Sequence, residues 1–185
     1  MKNSLKQKEL EEHAKQSTEL LYQGRLFSVH REKLAFADHT HNWDFVRHPG
    51  AVAAVPITAE GRLILIQQWR RAIGQVIYEL PAGVLEKGES PLQTVDRELQ
   101  EEIGYKASKI IDLGGFYSTP GFCNEYIHLF VAKELTQSSL PGDLHEAIDI
   151  VEMDLQEALK LIDSNQIVDM KTIAGLLRYQ RFASE

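Results

Sequence analysis

The chain has 185 residues, of which 43% are hydrophobic and 25% charged, enough for one ordinary domain with a sizeable core and a short N-terminal extension. Its formal net charge of −7 argues against a nucleic-acid backbone as the main partner, because phosphate contacts need a basic face. Cys123 is the only cysteine, which excludes an intramolecular disulfide; no apolar run approaches the length of a membrane span and the polar start does not read as a signal peptide, so the cytoplasm is the expected compartment.

Taken in chain order, residues 5–20 are polar with leucines at loose helical spacing and are expected as a helix or a partly ordered segment. A strand is predicted from Arg25 to Phe36, a turn at ADHTHN, and a second strand from Trp43 to Val46. AVAAVPI (51–57) and RLILIQQW (62–69) flank the turn TAEG and read as a buried β-hairpin. VIYEL (76–80), KIIDLGGFY (109–117), YIHLFVAK (126–133) and IDIVEM (148–153) are further strands. Two helices close the chain, one with Leu155, Ala158, Leu159 and Ile162 on a common face and one from Met170 to Phe182. Strands interrupted by a helix and followed by two more describe a mixed sheet packed between helices, an α/β architecture. Residues 1–50 divide off as an N-terminal extension and 51–185 as the main domain.

The segment between Gly83 and Tyr105 carries the chemistry. Ser90 is placed to cap a helix and Pro91 fits the first helical position, where its missing N–H costs nothing. Leu92, Val95, Leu99 and Ile103 recur at helical spacing as the expected buried face, and Gly104 supplies the stop. Glu98, Glu101 and Glu102 then share one side of the helix. Like charges three and four residues apart cost roughly 0.2–0.5 kcal/mol per pair, and anions near a helix C-terminus cost about 0.3–1 kcal/mol more. A bound divalent cation removes both penalties, and hard carboxylate oxygens suit magnesium or manganese. Taken alone, three such glutamates are weak evidence, since most such clusters are simply exposed charge.

The spacing decides between these readings. Gly83, five residues, Glu89, seven residues, Arg97-Glu98-Leu99, one residue, Glu101-Glu102, one residue, Gly104 resembles the Nudix box of the diphosphate hydrolases at every polar and glycine position. The one departure is Tyr105, where an aliphatic residue is usual. The resemblance implies the Nudix α/β/α sandwich, with Glu98, Glu101 and Glu102 as metal ligands, joined by the backbone carbonyl of Ala82. It implies that Gly83 lets its loop approach the metal, and that Arg97 pairs with Glu89 to support the ligands. Mg2+ is the expected cofactor, with Mn2+ as a substitute.

Pro120 lies sixteen residues after Gly104, in FYSTPGFCNE, which resembles the ADP-ribose pyrophosphatase subgroup; outside a Nudix chain it would be an ordinary turn proline. The likeness also covers RHPGAVAAVPI, QQWR and LQEALKLI, most of the chain beyond residue 24. It implies that Arg70 binds the diphosphate, that Glu125 contacts the sugar hydroxyls, that Trp43 stacks on the nucleobase, and that Phe27 lies on the base's opposite face. It further implies a homodimer in which the N-terminal strands cross to the partner. The general base is less defined: in SSLPGDLHEAID (138–149), Glu146 aligns with an acidic position used for metal or base, while Asp143 and His145 are also chemically competent and Leu144 stands where glutamate is common. The expected function is magnesium-dependent hydrolysis of ADP-ribose to AMP and ribose 5-phosphate. The alternatives are a broader enzyme preferring GDP-mannose or UDP-sugars, and a non-catalytic ADP-ribose-binding module.

Overall fold

A computed structural model describes residues 2–142 and 147–184, in two compact units. The first comprises the chain up to Pro49 with Thr119–Glu125. After helix α1 (Lys2–Glu12) come strands β1 (Lys15–Gln23), β2 (Ser28–Ala35) and β3 (Thr40–Arg47), paired antiparallel in that order. The region expected as a helix or a partly ordered segment therefore holds a helix and a strand, because Thr18 to Tyr22 find a partner in β2 that spacing alone does not reveal. Every residue of β1 is exposed, and Leu34 is the one fully buried apolar side chain among the described residues of this unit. The segment Thr119–Glu125 is tied to β3: Val46 N–H donates to the Phe122 carbonyl at 2.7 Å, and Asn124 N–H donates to the Val46 carbonyl at 3.3 Å.

The second unit comprises Gly50–Ser118 and Tyr126–Glu185. Its strands are β4 (Ala51–Pro56), β5 (Leu63–Arg70), β6 (Gln75–Glu79), β7 (Ala82–Val84), β8 (Tyr105–Tyr117), β9 (Tyr126–Gln137) and β10 (Ile148–Met153). Helix α2 (Pro91–Glu102) falls between β7 and β8, while α3 (Leu155–Asp163) and α4 (Met170–Ala183) follow β10. Two sheets form, β10-β5-β6 and β7-β4-β9-β8; the second is mixed, because β4 runs parallel to β9.

The central strands are buried on both faces, which explains why they read as unbroken apolar runs. Alternation along each strand splits the core in two. Val52, Ala54, Ile64, Ile66, Phe130 and Ala132 pack with Val95, Leu99 and Ile103 of α2. Ala53, Val55, Leu63, Leu65, Leu129 and Val131 pack with Ala158 of α3 and Leu176 of α4. The unit is an α/β/α sandwich.

The expected hairpin of 51–57 with 62–69 does not form. The turn is present, with Thr58 N–H donating to the Arg62 carbonyl at 2.9 Å, but the only pairing across it is the bridge Ile57–Leu63. Beyond that bridge, β4 joins β7 and β9, and β5 joins β6 and β10. The short strand β7, which pairs Gly83 with Val52, was not anticipated; it is too short for any periodicity to show. Among the described residues no helix is long and apolar enough to cross a membrane.

Candidate active site

Helix α2 is built by local chemistry. Ser90 caps it through the Gln93 N–H, and Gln93 Oε1 accepts from the Ser90 N–H at 2.9 Å, a reciprocal capping box with Pro91 opening the helix. Gly104 closes it at φ +72°, a left-handed conformation that glycine takes without strain. The buried face differs from expectation at one end: Leu92 is 53% exposed, while Thr94 and Gln100 are buried with Val95, Leu99 and Ile103. Both polar residues are satisfied. Thr94 Oγ1 donates to Glu89 Oε2 at 2.9 Å, and Gln100 donates to the Asp96 carbonyl while accepting from Ser138 Oγ, both at 2.8 Å.

This packing leaves Glu98, Glu101 and Glu102 on the side facing β7. Arg97 binds Glu98 and Glu101 into one network with Glu89. Its Nε and Nη2 donate to the two oxygens of Glu89, each at 3.2 Å; its Nη1 donates to Glu98 Oε1 at 2.7 Å and Glu101 Oε2 at 2.8 Å; its Nη2 also reaches the Val84 carbonyl at 3.4 Å. Burial disfavours the Arg97 charge, but the three carboxylates outweigh it and raise its pKa further. Arg97 holds the Glu89 carboxyl below its usual range in turn, with help from Thr94.

The strand β7 completes the site from the other side. Ala82 N–H donates to Glu102 Oε2 at 2.8 Å. A Cβ on Gly83 would overlap the Glu98 carboxylate, so this close approach requires glycine. Carboxylates gathered on one helix against a bare backbone strand offer only hard oxygen donors, the set that a divalent Mg2+ or Mn2+ ion takes. Among the described residues no three acidic, histidine or cysteine side chains are arranged to hold a metal ion, and the guanidinium of Arg97 bridges Glu98 and Glu101.

Arg70 lies at the end of β5, its guanidinium forked onto Glu79 of β6 by Nε–Oε1 at 2.5 Å and Nη2–Oε2 at 2.7 Å. Nη1 is the donor group left over by that fork. Glu79 is only 1% exposed and also accepts from Lys171 Nζ. Lys171 in turn pairs with Asp169 at 3.0 Å. The sequence reading missed Glu79, Lys171 and Asp169; the one available signal was an acidic residue inside the apolar run VIYEL.

The other expected contacts belong to the first unit. Trp43 is 47% exposed on β3, with its ring edge-on to His41, and Phe27 is exposed just before β2. Glu125 lies 3.7 Å from His48 Nδ1 and donates its N–H to Cys123 Sγ. Pro120 sits in a turn where the Thr119 carbonyl accepts from Phe122 and Cys123. Glu146, Asp143 and His145 lie outside the described residues.

A description of the NUDIX domain matches residues 47–173. The chain belongs to the Nudix family.

Hydrolases of the Nudix family generally use divalent metal ions, in keeping with the oxygen donors on α2 and β7. The ADP-ribose pyrophosphatase of Bacillus subtilis (strain 168) is 38% identical over 157 residues, covering 83% of this chain and 85% of that one. The methanol dehydrogenase activator of Bacillus methanolicus is 39% identical over 162 residues, covering 86% and 88%. A solved ADP compounds hydrolase shares the Nudix fold with a TM-score of 0.81, over 92% of this chain and 94% of that one, at 23% identity.

Proposed function

We propose that this Nudix pyrophosphatase is a magnesium-dependent homodimer that hydrolyses the diphosphate of ADP-ribose to AMP and ribose 5-phosphate and accepts related nucleoside diphosphate sugars. The reading rests above all on the site where Glu98, Glu101 and Glu102 meet the bare backbone of Gly83. Glu98, Glu101, Glu102 and the Ala82 carbonyl are the groups that would hold the metal, with Glu146 as a further acidic residue. A divalent ion supplies charge neutralisation to a diphosphate, whose negative oxygens otherwise repel a nucleophile.

The chain's own residues do the rest. Glu101 and Glu146 orient the attacking water and take its proton. The P–O–P bridge breaks as the new P–O bond forms, and the departing phosphate carries the bridging oxygen. Arg97, anchored by Glu89, holds Glu98 and Glu101 in place. Arg70 offers its remaining N–H edge to the diphosphate, where a planar guanidinium matches phosphate oxygens. Trp43 stacks on the base with Phe27 opposite, and Glu125 accepts from the sugar hydroxyls.

Residues 1–50 serve as the dimer-forming extension and 51–185 as the hydrolase domain. The fully exposed β1 and the near-absence of buried apolar side chains among the described residues of the first unit support that assignment, because a small sheet needs a second surface to bury its apolar groups. The two similar relatives bear different names at nearly equal identity, so overall identity does not choose between them. Retention of all three box glutamates favours hydrolysis over a binding module. Release of AMP, GMP and UMP from ADP-ribose, GDP-mannose and UDP-glucose with Mg2+, followed by chromatography, tests the proposal; no turnover of any of the three would overturn it.

A further inference from the structure

The charge cluster at the start of α4 extends the site beyond the box. Glu79 is almost wholly buried, and a buried carboxylate persists only where partners satisfy it. Glu79 Oε1 takes Arg70 Nε, and Oε2 takes both Arg70 Nη2 and Lys171 Nζ. Two cations on one anion leave a surplus positive charge, which Asp169 balances from its position on Lys171.

The reach of Arg70 shows why this cluster matters. Glu79 is in register with Ile66, four residues before Arg70 on β5. At about 3.3 Å per residue, Arg70 originates roughly 13 Å along the strand from the point opposite Glu79. Its side chain is laid back along the sheet, and its direction is set by where the Glu79 carboxylate points. That carboxylate has its own rotational freedom, and Lys171 removes it by holding Oε2. Lys171 is itself fixed. Asp169 caps α4 by accepting from Thr172 N at 3.0 Å and from Thr172 Oγ1 at 2.6 Å, and Thr172 Oγ1 accepts from Leu80 N at 2.8 Å. The first turn of α4 is thus clamped to the residue that follows Glu79.

We propose that Lys171, held by Asp169, is a positioning residue that orients the buried Glu79 carboxylate and thereby presents Arg70 to the diphosphate. The inference rests on the reading of Arg70 as the diphosphate anchor. Lys171 acts through Arg70: its ammonium is engaged by two carboxylates and its side chain is mostly buried.

The test combines steady-state kinetics with NMR of the Arg70 Nε–Hε group in the ligand-free protein, comparing wild type with Lys171→Met, Lys171→Arg, Arg70→Ala and the double variant Arg70→Ala/Lys171→Met. Lys171→Gln serves where the methionine variant does not fold. In Lys171→Met the Arg70 Nε–Hε signal loses its protection from exchange. KM for ADP-ribose rises roughly 10- to 100-fold while kcat stays within a few-fold, as expected when an anchor is misplaced by about an ångström. Lys171→Arg restores both readouts. In the Arg70→Ala background the lysine substitution has no further effect on KM, because the residue it positions is gone. An unchanged Arg70 signal in Lys171→Met overturns the inference. So do KM effects of Lys171→Met and Arg70→Ala that multiply, which would mean that Lys171 meets the substrate on its own. If the NMR result holds but the wild type cleaves no nucleoside diphosphate sugar, the positioning of Arg70 stands and the functional reading fails by itself.

Discussion

The amide N–H of Ala82 donates to the carboxylate of Glu102 at 2.8 Å, joining two residues twenty positions apart in the chain. Through this bond the strand β7 and the helix α2 are held as one assembly, and the neighbouring Gly83 brings its backbone against Glu98. Neither contact involves a side chain on β7, so the alignment depends on backbone position alone.

Glu102→Gln keeps an oxygen to accept the Ala82 N–H but removes a charge from the proposed metal site. The fold should persist by circular dichroism, while turnover of ADP-ribose should fall by roughly two orders of magnitude or more. Wild-type kcat in this variant, or activity in excess chelator, would sink the metal assignment.

Gly83→Ala inserts a methyl group where the Glu98 carboxylate lies. Either the carboxylate or the strand must shift, and displaced support around a metal ligand typically costs about 10–100-fold in metal affinity or activity. The Mg2+ concentration for half-maximal activity should rise accordingly. A Mg2+ titration superimposable on wild type would show that the close approach has no bearing on the site.

The Glu79 carboxyl should leave a mark on acid stability. Burial pushes its pKa up, but Arg70 and Lys171 outweigh burial and hold it below its ordinary value of 4.5. A carboxylate depressed in this way stabilises the fold fully above its unfolded pKa, and the contribution is lost as pH falls through the lower folded value. Melting temperature should therefore drop on acidification below about pH 4.5 in a manner that Glu79→Gln blunts. At neutral pH the same variant should lose roughly 3 kcal/mol or less, the lower part of the range for a broken buried pair, because Arg70 reaches solvent. Parallel acid-melting curves for the two proteins would contradict the assignment of Glu79 as a stabilising anion.

The full chain should have twice its monomer mass by light scattering at working concentration. The motive is the first unit, whose β1 is exposed throughout and whose described residues bury only Leu34 among apolar side chains. A monomeric mass with unimpaired activity would remove the partner-completed site from the mechanism.

Trp43→Ala should weaken ADP-ribose, GDP-mannose and UDP-glucose together. Stacking on an exposed aromatic ring contributes about 1–3 kcal/mol per base and is tolerant of base identity, so kcat/KM should fall roughly five- to 150-fold for each with their order kept. A reordering of the three would reveal a contact specific to one base.

Much of this protein is local and was therefore legible in its sequence. The boundaries of β10 coincide with the run IDIVEM, and α2 starts at Ser90 and Pro91 and ends before Gly104, because capping and glycine conformation act within one helical turn. The Arg97–Glu89 pair also falls on box positions eight residues apart and is formed. Leu92 shows the limit of periodicity: it has the spacing of the buried face but lies on the first turn and is exposed.

Partner choice was not legible. The turn at TAEG forms as its residues dictate, yet β4 pairs in parallel with β9, with Ala51 opposite Ile127, rather than folding back on β5. Two strands buried on both faces carry no polar side to mark which neighbour each one takes. The same limit hid the cluster around Arg70, since Glu79 and Lys171 stand ninety-two positions apart and each alone reads as an ordinary charge. The helix that bears the glutamates and the glycine that lets a backbone approach them are written in local sequence, because they depend on spacing and steric freedom within a few turns of chain. Which strand meets that helix, and which buried carboxylate pairs with Arg70, emerge in the folded chain alone, because both follow from long-range packing that no local pattern encodes.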